Sequence, residues 1–280
     1  MEYVDGAKSV WQRTPGEGAG SWLSDADQWT TSSLYVYPLQ AGVIKADQMQ
    51  NWYFMDDGYP GALKQFAVGP TTPPLGSGSV KFAISGEQRM AVATAGFAGV
   101  RLADLTRLSY SSYVEEAGIN AAVDISLSFD IDGDGTDNNS AYQGRLTYEP
   151  YMTHGNPVRE QWNTWNPLAG KWWGSRAPIS DKCPQSAPCD LPTVLTHFSN
   201  AVISGNLLVK AGGPADGLVA YADALSVEMT GGRSYTFDFE PIPGLFVDDD
   251  YTSAMPGYGS TYFSTIQSAI DAASAGAVIN

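Results

Sequence analysis

The 280-residue chain carries 15 Lys and Arg against 30 Asp and Glu, a formal charge of −15, which argues against nucleic acid or an anionic membrane surface as partner because a phosphate-binding chain needs a basic face. Charged residues make up 16% and hydrophobic residues 43%, the composition of a chain that buries a core. Apolar stretches such as 91–103 are broken by Thr, Gly and Arg, and none reaches the ~18 residues that a membrane-spanning helix requires.

Residues 1–50 read as an irregular, Gly-rich leader with Trp11, Trp22 and Trp29 spaced through it. Within it, 33–38 predicts an edge strand or an extended packing segment that Pro38 ends. The start has neither a basic n-region nor an apolar h-region, so no signal peptide is legible.

From 51 to 241 the pattern becomes a succession of short β segments, predicted at 51–55, 63–68, 79–85, 88–95, 107–114, 121–130, 143–149, 162–166, 205–210, 219–230 and 234–239. Gly and Pro separate them at 69–76, 132–135, 212–214 and 231–232, where positive φ or a fixed φ favours turns. In 121–130 the residues Val123, Ile125, Leu127 and Phe129 alternate with Asp124, Ser126, Ser128 and Asp130. With the alternating 145–149 segment this predicts a hairpin with one wet and one dry face. The 191–200 segment reads as a short crossover helix, with Pro192 in its first turn and Val194, Leu195 and Phe198 on one side. From 242 to 280 an acidic and Gly-rich linker leads to Ile266, Ala269, Ile270 and Ala273, an i, i+3, i+4, i+7 pattern that predicts an amphipathic helix over about 264–275. Residues 277–280 then start a strand.

Cys183 and Cys189 are the only cysteines, six apart with two prolines and no His nearby. That spacing makes a poor zinc site and a small disulfide loop, which points to a secreted or cell-surface protein.

Two acidic groups are calcium candidates. In Asp130-Ile-Asp-Gly-Asp-Gly-Thr-Asp-Asn-Asn-Ser140, Asp130, Asp132, Asp134 and Asn138 fall at positions 1, 3, 5 and 9 of an EF-type loop, with Gly135 at position 6. Ala141 stands where the bidentate Glu belongs, so a solvated turn is the competing reading. The second group is Asp56, Asp57, Asp223, Asp238 and Glu240, at the ends of the first and last strands. Among aromatic residues, Trp162, Trp165, Trp172 and Trp173 lie within twelve positions. Indoles stack on the apolar faces of sugar rings. Trp172 and Trp173, read as loop-borne, are the candidate platform, with Trp165 and Arg176 beside them and at least one of Trp162 and Trp165 in the core.

Val247-Asp-Asp-Asp-Tyr251 followed by Phe263-Ser-Thr-Ile-Gln-Ser-Ala-Ile-Asp-Ala272 resembles the opening of a right-handed parallel β-helix of the pectate-lyase-like superfamily, whose N-terminal helix plugs the coil stack. The preceding 51–241, through pieces such as Gln161-Trp-Asn-Thr-Trp165 and Tyr221-Ala-Asp-Ala-Leu-Ser226, resembles the sandwich module found ahead of such β-helices in secreted bacterial proteins and is similar to jelly-roll carbohydrate-binding modules. The resemblance implies an all-β jelly-roll sandwich at 51–241 with a leader, one crossover helix and the cap helix of a truncated β-helix. It also implies a structural calcium held by the second acidic group.

The expectation is therefore a non-catalytic, calcium-stabilised extracellular module that binds a polysaccharide or glycan surface. The alternative is a structural subunit of a filament, adhesin or surface layer whose termini pack on copies of itself. A β-helix lyase or hydrolase would need coils beyond this chain. Neither His154 nor His197 has a nucleophile or metal-ligand spacing beside it, and pairs such as Glu115 and Glu116 are adjacent rather than placed across a cleft.

Overall fold

The computed structural model describes residues 3–4, 7–8, 41–45, 48–134, 142–212, 215–241, 244–254, 258–259, 262–273 and 278–279. The predicted strand at 33–38 and the candidate ligand Asn138 lie outside them. The chain divides into Met1–Gln40 and Ala41–Asn280. In the first unit, β1 (Tyr3–Val4) and β2 (Ala7–Lys8) pair antiparallel.

The second unit is an all-β sandwich with a few short helices. One seven-stranded sheet runs in the order β13 (Cys189–Asp190), β12 (Lys171–Gly174), β10 (Gly144–Tyr148), β9 (Ser126–Asp132), β14 (Val202–Gly212), β7 (Arg89–Thr94), β4 (Trp52–Asp56). The other runs β11 (Trp162–Trp165), β8 (Leu105–Ala117), β15 (Leu218–Met229), β16 (Arg233–Glu240), β3 (Gly42–Lys45), and β6 (Gly78–Ala83) joins β5 (Gln65–Val68) to β15. Pairing is antiparallel throughout except for β3, which lies parallel to β16. All eleven predicted strands of 51–241 have counterparts. Residues 42–45, read as leader, instead extend the second sheet.

The two sheets meet through aromatic side chains. Trp52 of β4 packs edge-on to Phe237 and Phe239 of β16, with centroids 5.0 and 5.2 Å apart, and Phe54 meets Phe66 at 5.1 Å. Further along, Phe129 stacks on Trp172, and Tyr110 of β8 approaches Tyr148 of β10. Between those strands the Tyr110 hydroxyl donates to the Ile125 carbonyl at 2.6 Å, so this ring brings no unpaired polar atom into the core.

One expectation needs correcting. The strand read as half wet is buried at every position from Ser126 to Asp132. The cause is its place at the centre of the sheet, flanked by β10 and β14, where its polar side has partners of its own: Ser128 shares a hydrogen bond with Thr147, and Asp130 accepts from Arg145 and Asn206. Alternation was real, but polarity marked a covered polar face rather than a solvated one.

Among the described residues the unit has four short α-helices: α1 (Tyr151–His154), α2 (Ile179–Lys182), α3 (Leu191–His197) and α4 (Ile266–Ala272). Helix α3 starts where predicted, capped by the Asp190 side chain accepting from Thr193 N–H. Helix α4 is similarly capped by Thr265 and buries Ala269 against Leu245 and Phe263. These last two belong to β17 (Gly244–Val247) and β18 (Tyr262–Phe263), which with β19 (Val278–Ile279) form a small parallel sheet in the order β18-β17-β19. No helix among the described residues is long and apolar enough to cross a membrane.

Candidate functional site

Register fixes which side chains share the outer face of the seven-stranded sheet. Trp52 points into the sandwich, so Tyr53 and Met55 point out, and their partners Ala93 and Ala91 do likewise. Continuing across, Leu208 and Lys210 of β14, Ser126, Ser128 and Asp130 of β9, Arg145 and Thr147 of β10, and Lys171 and Trp173 of β12 follow on that side.

A charged network crosses this face. The Arg145 guanidinium donates through Nε to Asp130 Oδ1 at 2.8 Å and through Nη1 to Asp57, which also receives Lys210 Nζ. Side chains of Arg145, Asp57 and Lys210 are only 14–17% exposed. Asp130 Oδ2 accepts from Asn206 N and Nδ2 at 3.1 Å, and Asn206 Oδ1 accepts from the Tyr53 hydroxyl at 2.8 Å. Strands β10 and β4 are four steps apart, roughly 19 Å on a flat sheet. Asp57 lies just past the end of β4, and its contact with Arg145 carries the network over the intervening strands. Beneath lies a floor of Ala91, Ala93 and Leu208, fully buried, with Met55 against it. Burial raises the Asp57 carboxyl, but Lys210 and then Arg145 outweigh it and hold the group down at about 2. Burial likewise pulls the Lys210 ammonium down and Asp57 pulls it back; we take the ion pair as charged at neutral pH.

Of the first calcium candidate, Asp130 and Asp132 sit in strand β9, and Asp130 serves Arg145 and Asn206. Asp132 Oδ1 accepts from Asp134 N–H in the turn that follows.

The second candidate group separates into three places. Asp57 belongs to the network above, and Asp56 pairs with Lys64 at 2.6 Å. Asp223, Asp238 and Glu240 do converge, beneath the 75–78 loop. Asp223 accepts from Leu75 N–H and Phe239 N–H, and Glu240 accepts from Ser77 N–H, Ser77 Oγ–H and Gly78 N–H. A methyl group on Gly76 would collide with Glu240, so the loop approaches because that residue is glycine. Asp238 Oδ1 is buried with no hydrogen-bond partner. Burial, with the Asp238 charge adding to it, pushes the Asp223 carboxyl up to about 6. Asp238 is raised by burial and by Glu240.

The tryptophans also sort differently from the expectation. Lys171-Trp-Trp-Gly174 is a strand and not a loop, so adjacent indoles face opposite ways. Trp172 is fully buried, stacked on Phe129 at 5.5 Å with Nε1 donating to Pro167 O, and has no face to offer a ligand. Trp165 is buried too, its ring stacked on His154 and its Nε1 donating to Ser112 Oγ at 2.8 Å. Trp162 packs on Tyr113 on the other sheet. Arg176 lies over the Tyr142 ring at 4.3 Å, two residues past the end of β12 away from Trp172. Only Trp173 of the candidate set is part-exposed on the outer face.

Beside Trp173 is a feature the sequence did not signal. Trp173 Nε1 donates to Glu149 Oε2 at 3.1 Å, and Gln185, inside the loop closed by the Cys183–Cys189 disulfide, donates to the same oxygen at 3.3 Å. Glu149 lines a cleft of about 90 Å³ with Asn120, Asp124, Ser126, Tyr151 and Gln185. Asp124 is 7% exposed; burial pushes its carboxyl up to about 6, against the pull of Ser112 O–H, Ile125 N–H and Trp165 N–H. Glu149 and Asp124 are 25 positions apart, so only strand pairing could join them. No protein-family model matches the chain, and no curated protein is similar to it at a significant level.

Proposed function

We propose that this chain is a non-catalytic extracellular binding module that attaches to a polysaccharide or other glycan surface. The observation that carries the reading is the set of Trp173, Glu149, Tyr151 and Gln185, an indole and a phenol beside carboxylate and amide groups near one end of the seven-stranded sheet. Sugars are bound by that combination: ring stacking for their C–H faces and planar polar groups for their hydroxyls. Five strand steps from β4 to β12, roughly 24 Å, offer length for several sugar units. The disulfide favours an oxidising, extracellular location.

Calcium is part of the proposal at Asp223, Asp238 and Glu240. Asp238 Oδ1 is an orphaned buried oxygen, and with the Asp223 and Glu240 carboxylates it offers hard oxygens that suit a divalent cation. An ion there would tie β15 to β16 and fix the 75–78 loop. A structural-subunit role is the second reading. It draws on Ile266 and Ile270 of α4, 64% and 49% exposed on a helix beside a short parallel sheet, as a surface for a second copy. In the first reading that segment is the start of a parallel β-helix. Glycan-affinity electrophoresis decides between them: retardation abolished by Trp173→Ala supports the module, whereas no retardation together with concentration-dependent assembly of the wild type supports the subunit.

A further inference from the structure

We propose that the cleft between Asp124 and Glu149 is a subsite for a primary ammonium group, so that the glycan taken by this module contains an amino-sugar unit. The inference rests on the binding-module reading and names its ligand more closely.

The residues lining the cleft include Asp124 and Glu149 with the polar Asn120, Ser126, Tyr151 and Gln185, and no Lys, Arg or His. Elsewhere on the same sheet, Asp57 is matched by Arg145 and Lys210, and Asp130 by Arg145.

Its acceptors are held in place and are not saturated. Each carboxylate has about four acceptor sites. Glu149 serves Trp173 and Gln185, with Tyr151 as a third partner. Asp124 serves Ser112 and Ile125, with Trp165 as a third. Both retain capacity for one more donor. The groups that face Asp124 are Tyr110 of β8, Tyr148 of β10 and Glu149, all neutral or acidic. Its raised carboxyl is the consequence of burial without a counter-charge, and an ammonium would supply one.

Size and chemistry narrow the ligand. A cleft of about 90 Å³ takes an ammonium and its carbon, and the sugar ring would lie against Tyr151. Calcium would want six to eight oxygens. An ammonium needs only three acceptors. The −15 field of the chain favours approach of a cationic glycan.

The test uses the full chain and isothermal titration at pH 7 with a glucosamine oligomer, its fully N-acetylated counterpart, a neutral glucose oligomer, a lysine-rich peptide and calcium chloride. The amino oligomer should bind about tenfold or more tighter than the N-acetylated one, as expected for a charge-assisted hydrogen bond. Glu149→Gln should remove that preference with an unchanged melting temperature, and the buried Asp124→Asn serves as the second variant. Equal affinity for the amino and N-acetylated oligomers overturns the inference and leaves the module reading standing. So does a peptide or calcium that binds the cleft more tightly than the amino oligomer. If no oligomer binds, the module reading fails. Glucosamine monomer then decides the cleft: NMR shifts at Gln185 and Trp173 that vanish in Glu149→Gln uphold an ammonium site, and their absence removes it.

Discussion

Replacing Asp57 by Asn should destabilise the sandwich by about 3 kcal/mol, because that carboxylate is shared by Arg145 and Lys210 on a face where all three side chains are at most 17% exposed. The displacement of its carboxyl from 3.8 to about 2 corresponds to roughly 2.5 kcal/mol of preference for the charged form. Removing the charge also leaves Lys210 desolvated without a partner, while Arg145 keeps Asp130. Because the folded value is depressed, this stabilisation is present above pH 3.8 and is lost as pH falls through about 2. Equilibrium urea unfolding at pH 7 measures the loss, and 0.5 M salt should change it little, since partly buried pairs are weakly screened. The double variant Asp57→Asn/Lys210→Met should recover at least half, because an apolar stem above Ala91 needs no counter-charge. A loss below about 0.5 kcal/mol, or a double variant no better than the single, refutes the idea that this network holds the outer face together.

Other outcomes follow from the same structure. Asp124 and Asp223, both near 6 when folded and 3.8 by ordinary chemistry, should make the protein more stable at pH 5 than at pH 7, by about 1.3 kcal/mol each. In that window the folded state binds more protons than the unfolded one, so stability falls as pH rises, and Asp124→Asn should flatten its share of the slope in denaturant melts. Trp172→Ala should cost about 3–5 kcal/mol, whereas Trp173→Ala should cost about 1 kcal/mol or less, as unfolding curves of the two will show. Reducing the disulfide should lower stability by about 2 kcal/mol, given the short loop it closes, and should loosen Gln185 from Glu149. Saturating calcium should raise the melting temperature and EDTA should reverse it, an effect that Asp238→Asn abolishes; a midpoint indifferent to EDTA removes calcium from the account.

Most strands were legible because turn-forming Gly and Pro bracket alternating apolar residues, as between 79–85 and 88–95. Strand β12 was not, because four residues reading Lys-Trp-Trp-Gly contain too little alternation to separate strand from loop. That one ambiguity reversed the role of Trp172, since a strand forces neighbouring side chains to opposite faces. Strand β3 was hidden for another reason: its parallel partner β16 lies almost 200 residues later in the chain, and nothing local announces the pairing. EF-type spacing records residue types, and it gave no sign that Asp130 pairs with β10 and Asp132 with β14. Long-range polar assembly was illegible altogether. Asp57 meets Arg145 across 88 positions and Lys210 across 153, and the Asp124–Glu149 cleft exists only once β9 and β10 have paired. By contrast Asp223, Asp238 and Glu240 were named together and do meet, because their strands β15 and β16 form a local hairpin.

The central claim is that Trp173 and its neighbours form a glycan-binding edge. A glycan-array comparison of wild type with Trp173→Ala, each verified as folded by its melting curve, tests it most directly. The wild type should bind a limited set of glycans, richest in amino sugars, and the variant should lose that binding. Identical profiles for the two proteins, or no glycan bound by either, would contradict it.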